Sequence, residues 1–279
     1  MGIKPRISII VATFNSGKNL QTCLDSASEQ KYPNKEIIVI DGASVDGTVD
    51  VIRANEHRLS YWESAPDRGV YHAWNKALTH ASGDWIQFLG SDDWYTAPDV
   101  LERLAPTLKG VHSNIGLVYG KLARVTPTGE VLEIWGENWE RTKPRLKGQM
   151  SIPHGAAFHH KSLFGNAGGF DDNFKIAGDY EFMLRVMKGR DSYFVDDLVV
   201  IAQGCHGTSS VPETAFRRNA EMVRARKLNG LWPYPFCGLP LFAQNCMYGA
   251  AYYLFGKRGA TLIQNAYRRM TGRRVIPPE

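Results

Sequence analysis

The sequence predicts an α/β protein built on a doubly wound sheet. Three features predict it: short apolar runs of strand length, helical patterns between them, and polar residues directly after them. Nearly continuous apolar runs are typical of buried strands in a parallel sheet. Because ligands of such sheets bind at the carboxyl ends of the strands, we expect the functional site there. The runs are Ile7–Ala12, Glu36–Ile40 and Trp85–Leu89.

The helices between these runs have apolar residues at helical spacing. One stripe begins at Leu20 and ends at Ala27, and a longer one extends from Val70 to Ala81. Such stripes indicate helices that bury one face. The remaining elements are predicted in chain order as a helix start at Thr96–Asp99 with capping-box spacing, a hairpin of Leu117–Val125 with Glu130–Trp135, a helix from Asp179 to Gly189 and a late strand at Asp197–Ala202.

The composition is that of an ordinary globular protein, with 43% hydrophobic and 22% charged residues in a chain of 279. The four cysteines, Cys23, Cys205, Cys237 and Cys246, have no CxxC spacing. This pattern disfavours a zinc knuckle or a disulfide framework and fits a reducing compartment. The apolar run at Ile7 is shorter than a secretory signal and lacks a cleavage site, so we expect a cytoplasmic protein.

Positive charge is concentrated in the tail. From Arg217 onward eleven Lys or Arg stand against two Glu, a net charge of +9, which leaves −4 for the preceding residues. Residues 228–256 contain no charged side chain but many aromatic ones. Their prolines leave a stretch shorter than the ~20 residues of a membrane-spanning helix. We predict attachment to an anionic membrane surface; a helical pair covering the sheet, or a dimer interface, is the alternative.

Polar and acidic residues follow three of the predicted strands. Thr13 ends the first strand, Asp41 follows the second, and Asp92–Asp93 follow the run that ends at Leu89. Carboxylate oxygens suit Mg²⁺ or Mn²⁺, which bind proteins through one or two carboxylates together with substrate phosphates. The sequence therefore predicts a metal–diphosphate site at this edge. Paired aspartates also occur in loops and helix caps, which is the alternative interpretation of the pair.

Several nucleotide-binding and hydrolase classes are disfavoured by missing motifs. The chain contains no GxxxxGK[ST] loop, no GxGxxG after the first strand and no GxSxG elbow. P-loop NTPases, dinucleotide-dependent oxidoreductases and α/β-hydrolases are therefore not expected.

The motifs together resemble those of family-2 glycosyltransferases, enzymes with the GT-A fold that are often found in bacterial surface-polysaccharide assembly. The resemblance covers roughly residues 5–205. It is carried, in order, by T-F-N at 13–15, V-I-D-G-A-S-x-D-G-T at 39–48, P-D-x-G-x-Y-x-A-x-N-K-A at 66–77, S-G-D-W-I-Q-F-L-G-S-D-D at 82–93 and A-G-D-Y-E at 177–181.

The resemblance implies roles in donor binding for six of these residues. Asp93 would be the metal ligand, and Asp92 would contact ribose or reach the metal through water. Asp41 would hydrogen-bond the base beside Thr13, with an Asx-turn carboxylate as the alternative. Asp67 would line the nucleotide site or serve as an N-cap. Arg68 would pair with the nucleotide or with Asp67.

Asp179 occupies the place of the family's catalytic base. The family usually has Glu-Asp there, whereas this chain has Gly178-Asp179, so the acidic neighbour is missing. A general base needs a carboxylate within hydrogen-bond reach of the hydroxyl it deprotonates; a helix N-cap is the alternative role. Glu181 would point away from Asp179 on a helix. Two histidines complete the expected site: His154 would face the acceptor, and His206 would close over the diphosphate or complete the metal shell. A purely structural role is the alternative for His206.

The expected protein is an inverting, metal-dependent hexosyltransferase. It would use Mn²⁺ or Mg²⁺ and move a sugar from a nucleotide-diphospho-sugar, with a UDP-sugar favoured, to a glycan or lipid-linked acceptor in envelope biosynthesis. No nucleic-acid partner is expected. Residues 1–210 would form the catalytic domain, with a nucleotide half at 1–110 and an acceptor half at 111–210. Residues 211–279 would be a helical extension on the inner face of a bacterial plasma membrane. A sugar nucleotidyltransferase and a non-catalytic nucleotide-binding membrane scaffold are the alternatives.

Overall fold

The computed structural model describes residues 4–165, 168–204, 211–233 and 236–277. The strands in these residues are β1 (Ile7–Thr13), β2 (Lys35–Asp41), β3 (Tyr61–Ser64), β4 (Trp85–Gly90), β5 (Asp93–Tyr95), β6 (Ile115–Val125), β7 (Val131–Trp135), β8 (Ala157–His160) and β9 (Asp191–Gly204). They form one sheet in the order β3-β2-β1-β4-β8-β6-β9-β5, and β7 pairs with β6 outside this path.

Eight helices flank the sheet or follow it in the described part of the chain. They are α1 (Leu20–Ser28), α2 (Thr48–Ala54), α3 (Val70–Leu78), α4 (Val100–Gly110), α5 (Trp139–Leu146), α6 (Gly178–Val186), α7 (Ala215–Leu228) and α8 (Leu239–Met270). The predicted mixed α/β sheet and helical C-terminal extension are confirmed. The predicted helix start at Thr96 is wrong, because α4 begins at Val100 after Asp99 and the Thr96 hydroxyl bonds to the carbonyl of Val199 instead.

The first half of the sheet is parallel and the second half is mixed. β1 pairs in parallel with both β2 and β4, and β2 with β3. β8 then runs antiparallel between β4 and β6, while β9 pairs in parallel with β6 and antiparallel with β5. The long return strand β9 therefore brings its carboxyl end to β5, beside the end of β4.

Two apolar clusters hold the helices to the faces of the sheet. Alternate residues of β1 enter different clusters: Ile9 packs with α1 and α4, whereas Ile10 packs with α3 and α6. Every one of these β1 side chains is fully buried. The continuous apolar run of β1 thus reflects helices on both of its faces.

The C-terminal extension packs through α7 on α6 and on the chain at Gly148. Arg226 of α7 is buried and donates to the carbonyl of Gly148 at 2.6 Å. Asn229 donates to Glu181 of α6 at 3.3 Å. Helix α8 is interrupted at Gly256, whose φ is +67°. Within the described ranges, no helix is long and apolar enough to span a bilayer. The division into domains at residue 210 stays a prediction.

We expect truncation of Ile9 to destabilise the fold strongly, because it leaves a cavity in the central strand. Ile9→Ala should lower the free energy of unfolding by about 2–5 kcal/mol, measured by urea denaturation. Val131→Ala, at a position 40% exposed on β7, is the matched control and should cost about 1 kcal/mol or less. An equal loss in both variants would contradict the placement of β1 at the centre of the core.

Candidate active site

Four parallel strands end side by side at one edge of the sheet. In the ladder, Thr13 of β1 lies opposite Asp41 of β2, and Asp41 lies opposite Ser64 of β3. On the other side of β1, Ala12 lies opposite Gly90 of β4. The predicted convergence of Thr13, Asp41 and the Asp92–Asp93 turn is therefore present, because equal register places the strand ends together.

Asp41 is fully buried and already well bonded. Its carboxylate accepts from the backbone N–H and the hydroxyl of Ser44, at 2.9 and 2.5 Å, and from the Ser64 hydroxyl at 2.6 Å. A carboxylate offers about four acceptor positions, so one remains for a ligand. Beside it, the buried Thr13 hydroxyl has no hydrogen-bond partner among the described residues. Asp41 thus makes an Asx-type turn, and its contact with a base stays a prediction.

The Asp92–Asp93 pair forms the turn between β4 and β5. Asp93 is 3% exposed, and its Oδ2 accepts from Nε2 of Gln203 on β9 at 3.3 Å. Its Oδ1 is buried without a hydrogen-bond partner in the part of the chain that the structure describes. A buried carboxylate oxygen that lacks a donor is unfavourable by itself, which suggests that a ligand supplies the missing contact.

Electrostatics at this turn favour a cation. Burial, and then the negative charge of Asp92, raise the pKa of Asp93 to about 8. Burial also raises the pKa of Asp92. The raised pKa of Asp93 favours its protonated form until a positive charge replaces the proton. The pair therefore has the chemistry of a divalent-cation site that is completed by substrate phosphates.

Asp92 and Asp93 are the candidate metal ligands that the described residues bring together. The described segments contain no group of three His, Cys, Asp or Glu side chains suited to a metal. His206, the predicted additional ligand, lies in 205–210, outside the described residues. Gly90 makes room for the pair, because a Cβ there would lie 2.7 Å from Oδ2 of Asp93 and 3.2 Å from Oδ1 of Asp92.

Asp67 and Arg68 lie in the loop before α3. Asp67 accepts from the backbone N–H of Gly69 at 2.7 Å. Gly69 is the N-cap of α3, so the N-cap alternative for Asp67 is wrong. A Cβ on Gly42 would approach Oδ2 of Asp67 to 3.0 Å, which places Asp67 near the end of β2. Arg68 pairs with Asp172 rather than with Asp67. Their contacts with a nucleotide stay predictions.

Asp179 is the second residue of α6 and faces α3. Oδ1 accepts from the Tyr180 backbone N–H at 2.8 Å and from the Tyr71 hydroxyl at 3.2 Å. The N-cap is Ala177, so the N-cap alternative for Asp179 is also wrong. Burial is the largest influence on its carboxyl and raises its pKa to about 6. A carboxylate with that pKa is ionised at neutral pH yet basic enough to accept a proton. Glu181 instead pairs with Arg185 at 3.0 Å.

His154 belongs to an aromatic wall, which it forms with Tyr71, Trp74 and Phe88, rather than to a charged cluster. Its ring stacks on Trp74 and Phe88, with centroids 5.3 and 5.8 Å apart. Burial lowers its pKa to about 4, so the ring is neutral at physiological pH. Nε2 is buried and unbonded by any residue of the described ranges. Contact of His154 with an acceptor stays a prediction.

The aromatic wall forms a series of contacts that extends from Asp179 toward Asp93. Tyr71, which bonds to Asp179, also packs edge-on against Trp74 at 5.3 Å, and Trp74 stacks on His154. The next residue, Gly155, has its Cβ position 3.5 Å from Oδ2 of Asp93. These contacts link the surroundings of Asp179 to those of Asp93. Sequence analysis missed Trp74, Tyr71 and Gln203; only the first two lie within a quoted motif.

Comparison with known proteins agrees with this geometry. The family model described as glycosyl transferase family 2 matches residues 8–166. An uncharacterized glycosyltransferase of Mycobacterium tuberculosis is 35% identical over 196 residues, which cover 65% of this chain and 68% of that protein. A PGL/p-HBAD biosynthesis glycosyltransferase of the same species is 32% identical over 186 residues, covering 65% and 69%.

Solved structures share the fold at low identity. S. aureus TarS 1–349 in complex with UDP has a TM-score of 0.62 at 18% identity, covering 96% of this chain and 78% of that one. In a longer TarS structure this chain spans 44% of the length. The mannosyltransferase PcManGT from Pyrobaculum calidifontis, in complex with GDP-Man and Mn²⁺, has a TM-score of 0.61 at 21% identity, covering 96% and 81%. With its family model, its mycobacterial relatives and its GT-A-like sheet in agreement, the chain belongs to glycosyltransferase family 2.

Proposed function

We propose that this glycosyltransferase moves a sugar from a nucleotide-diphospho-sugar to a hydroxyl of a glycan or lipid-linked acceptor, with inversion, in cell-envelope biosynthesis. One observation carries the proposal: after β4 the buried Asp93, beside the half-buried Asp92, leaves its Oδ1 without a donor in the described residues, and burial and the Asp92 charge raise its pKa to about 8. The structurally similar TarS has been solved with UDP and with UDP-GlcNAc, and PcManGT with GDP-Man, which supports a nucleotide-sugar donor. A UDP-sugar is the donor we favour.

Asp93, assisted by Asp92, would hold Mn²⁺ or Mg²⁺. The fit rests on the unbonded Oδ1 and on the mutual repulsion of the pair, both of which a divalent cation relieves. When bound, the cation neutralises negative charge that develops on the leaving diphosphate. His206 is the proposed additional ligand. Thr13, Asp41, Asp67 and Arg68 would contact the base, ribose and phosphates.

Asp179 would act as the general base. Its carboxylate accepts the proton of the acceptor hydroxyl, and the hydroxyl oxygen forms a bond to the anomeric carbon. The bond from that carbon to the diphosphate oxygen breaks in the same displacement, on the opposite face. A single displacement inverts the anomeric configuration and needs no covalent sugar–enzyme intermediate. His154 and the aromatic wall would contact the acceptor.

The C-terminal extension would attach the enzyme to the inner face of the bacterial plasma membrane, where lipid-linked acceptors are found. Tyr253, Leu254 and Phe255 are 74%, 73% and 65% exposed, directly before the break in α8 at Gly256. Lys257 and Arg258 follow at once and are exposed. Exposed apolar side chains beside basic ones suit the headgroup layer of an anionic bilayer.

Replacing Asp93 should abolish metal binding but raise the stability of the metal-free protein. Asp93→Asn should abolish Mn²⁺-dependent binding of UDP or GDP, measured by calorimetry. The pKa of Asp93 is raised to about 8, so the native state retains a proton that the unfolded state loses. Stability without metal therefore falls as pH rises from about 4 to 8. Since Asn cannot ionise, the variant should melt at a higher temperature than the metal-free wild type at pH 8.

The exposed Asp50 on α2 provides the matched control, and Asp50→Asn should leave metal binding and melting unchanged. In the wild type, Mn²⁺ should bind more tightly as pH rises from 6 to 8, because the metal competes with the proton on Asp93. Unaltered calorimetric titration in Asp93→Asn would rule out this residue as the ligand.

Asp179→Asn should retain donor binding and lose transfer. The substitution preserves size but removes the basic oxygen, and the rate should fall by about 10²–10⁴-fold. The test is calorimetric titration with donor, together with release of nucleoside diphosphate in the presence of lipid-linked acceptors. Asp171→Asn, on the loop before α6, is the control and should keep its turnover. Normal turnover by Asp179→Asn would exclude the base assignment.

Membrane attachment can be tested without deleting the extension, since α7 contributes buried contacts to the fold. A triple change of Tyr253, Leu254 and Phe255 to Ser should reduce sedimentation with phosphatidylglycerol vesicles at least tenfold. The control variant has Ser in place of Ile134 and Tyr193, which are also exposed. Wild-type binding should weaken with added salt. Equal sedimentation of the triple variant and wild type would refute this surface, and loss of a dimer in light scattering would identify a self-association interface instead.

A further inference from the structure

The loop before the proposed base is held by a single buried carboxylate from the C-terminal extension. Glu221 of α7 accepts the backbone N–H groups of Lys175, Ile176 and Ala177, at 3.1, 2.8 and 2.9 Å. It also pairs with Arg217 at 3.2 Å. Three successive N–H groups that converge on one carboxylate fix the path of the chain immediately before α6.

On the opposite side, Tyr71 of α3 holds the carboxylate itself. Its hydroxyl donates to Oδ1 of Asp179, and the ring is buried. A Cβ on Gly178 would lie 2.8–2.9 Å from three atoms of the Tyr71 ring. The ring therefore occupies the space where a side chain at 178 would begin. In this chain a phenol hydroxyl therefore lies beside the base, next to a position that has no side chain.

We propose that Tyr71 and Glu221 are the positioning residues of Asp179, the first orienting its carboxylate and the second fixing the loop from which it projects. The inference rests on the proposed role of Asp179 as the base. Both residues act through Asp179 and touch neither donor nor metal in this scheme.

The two residues have opposite electrostatic effects on the base. The hydrogen bond from Tyr71 stabilises the carboxylate and lowers the pKa of Asp179, whereas the negative charge of Glu221 raises it. Other charged groups around the base are engaged elsewhere. Glu181 on α6 pairs with Arg185, and Lys175 donates to the carbonyls of Arg68 and Asp172. Burial outweighs both influences and sets the pKa near 6.

The test is the pH profile of kcat/KM for wild type, Tyr71→Phe and Glu221→Gln at saturating Mn²⁺. The wild-type acid limb should fall near pH 6. Tyr71→Phe removes a donor to the carboxylate, so its limb should move to higher pH. Glu221→Gln removes a negative charge, so its limb should move to lower pH. Each variant should also lose about tenfold or more at its plateau, with the donor dissociation constant unchanged.

Tyr193→Phe and Glu213→Gln are the matched controls, because both side chains are exposed and neither is among the groups that influence the pKa of Asp179; their limbs should coincide with that of the wild type. Circular dichroism and thermal melting verify folding of each variant, and Tyr71→Phe remains informative if Glu221→Gln fails to fold. If kcat/KM of the variants falls at its plateau but the acid limb stays at the wild-type pH, the inference is overturned. Tyr71 and Glu221 would then have only a structural role. Full turnover by Asp179→Asn would instead refute the proposed function itself.

Discussion

The register of β1 with its two neighbours is the constraint on which the site depends. The ladder aligns Thr13 with Asp41 and Ala12 with Gly90, so the polar ends of three strands meet at one edge. A slip by one residue would turn the apolar side chains of β1 to the wrong faces. Because helices cover both faces, such a slip is strongly disfavoured, and the core thereby fixes the geometry of the site.

The edge that this register creates is electrostatically unfavourable for the isolated protein. A half-buried and a buried carboxylate lie next to each other at Asp92 and Asp93, and an unbonded hydroxyl and a neutral histidine ring lie in the same region. The apolar clusters on both faces of the sheet stabilise the fold enough to tolerate this. Functional sites commonly retain such destabilising features because ligand binding relieves them.

The sequence predicted the strands and their polar ends well, because continuous apolar runs and the residues that follow them are local signals. It could not predict β8 between β4 and β6, since an antiparallel insertion of four residues has no distinct pattern. The partners of Asp179 were also missed. Tyr71 is 108 positions away and Glu221 is 42, so only the packing of α3 and α7 against α6 reveals them. Likewise, Asp67 precedes a helix as an N-cap would, yet the positive φ of Gly69 moves the cap by two residues.

Because Gly178 fits closely against the Tyr71 ring, the residue type at one of these positions restricts the residue type at the other. A side chain introduced at 178 alone would collide with the ring, since its Cβ would lie 2.8 Å from ring atoms. A smaller residue at 71 alone would open a void and remove the hydroxyl that contacts Asp179. A larger residue at 178 therefore requires a smaller one at 71, so the choice of residue at one position depends on the other. The glycine is thus the counterpart of a tyrosine that is distant in sequence, and the phenol beside Asp179 is retained only while position 178 has no side chain.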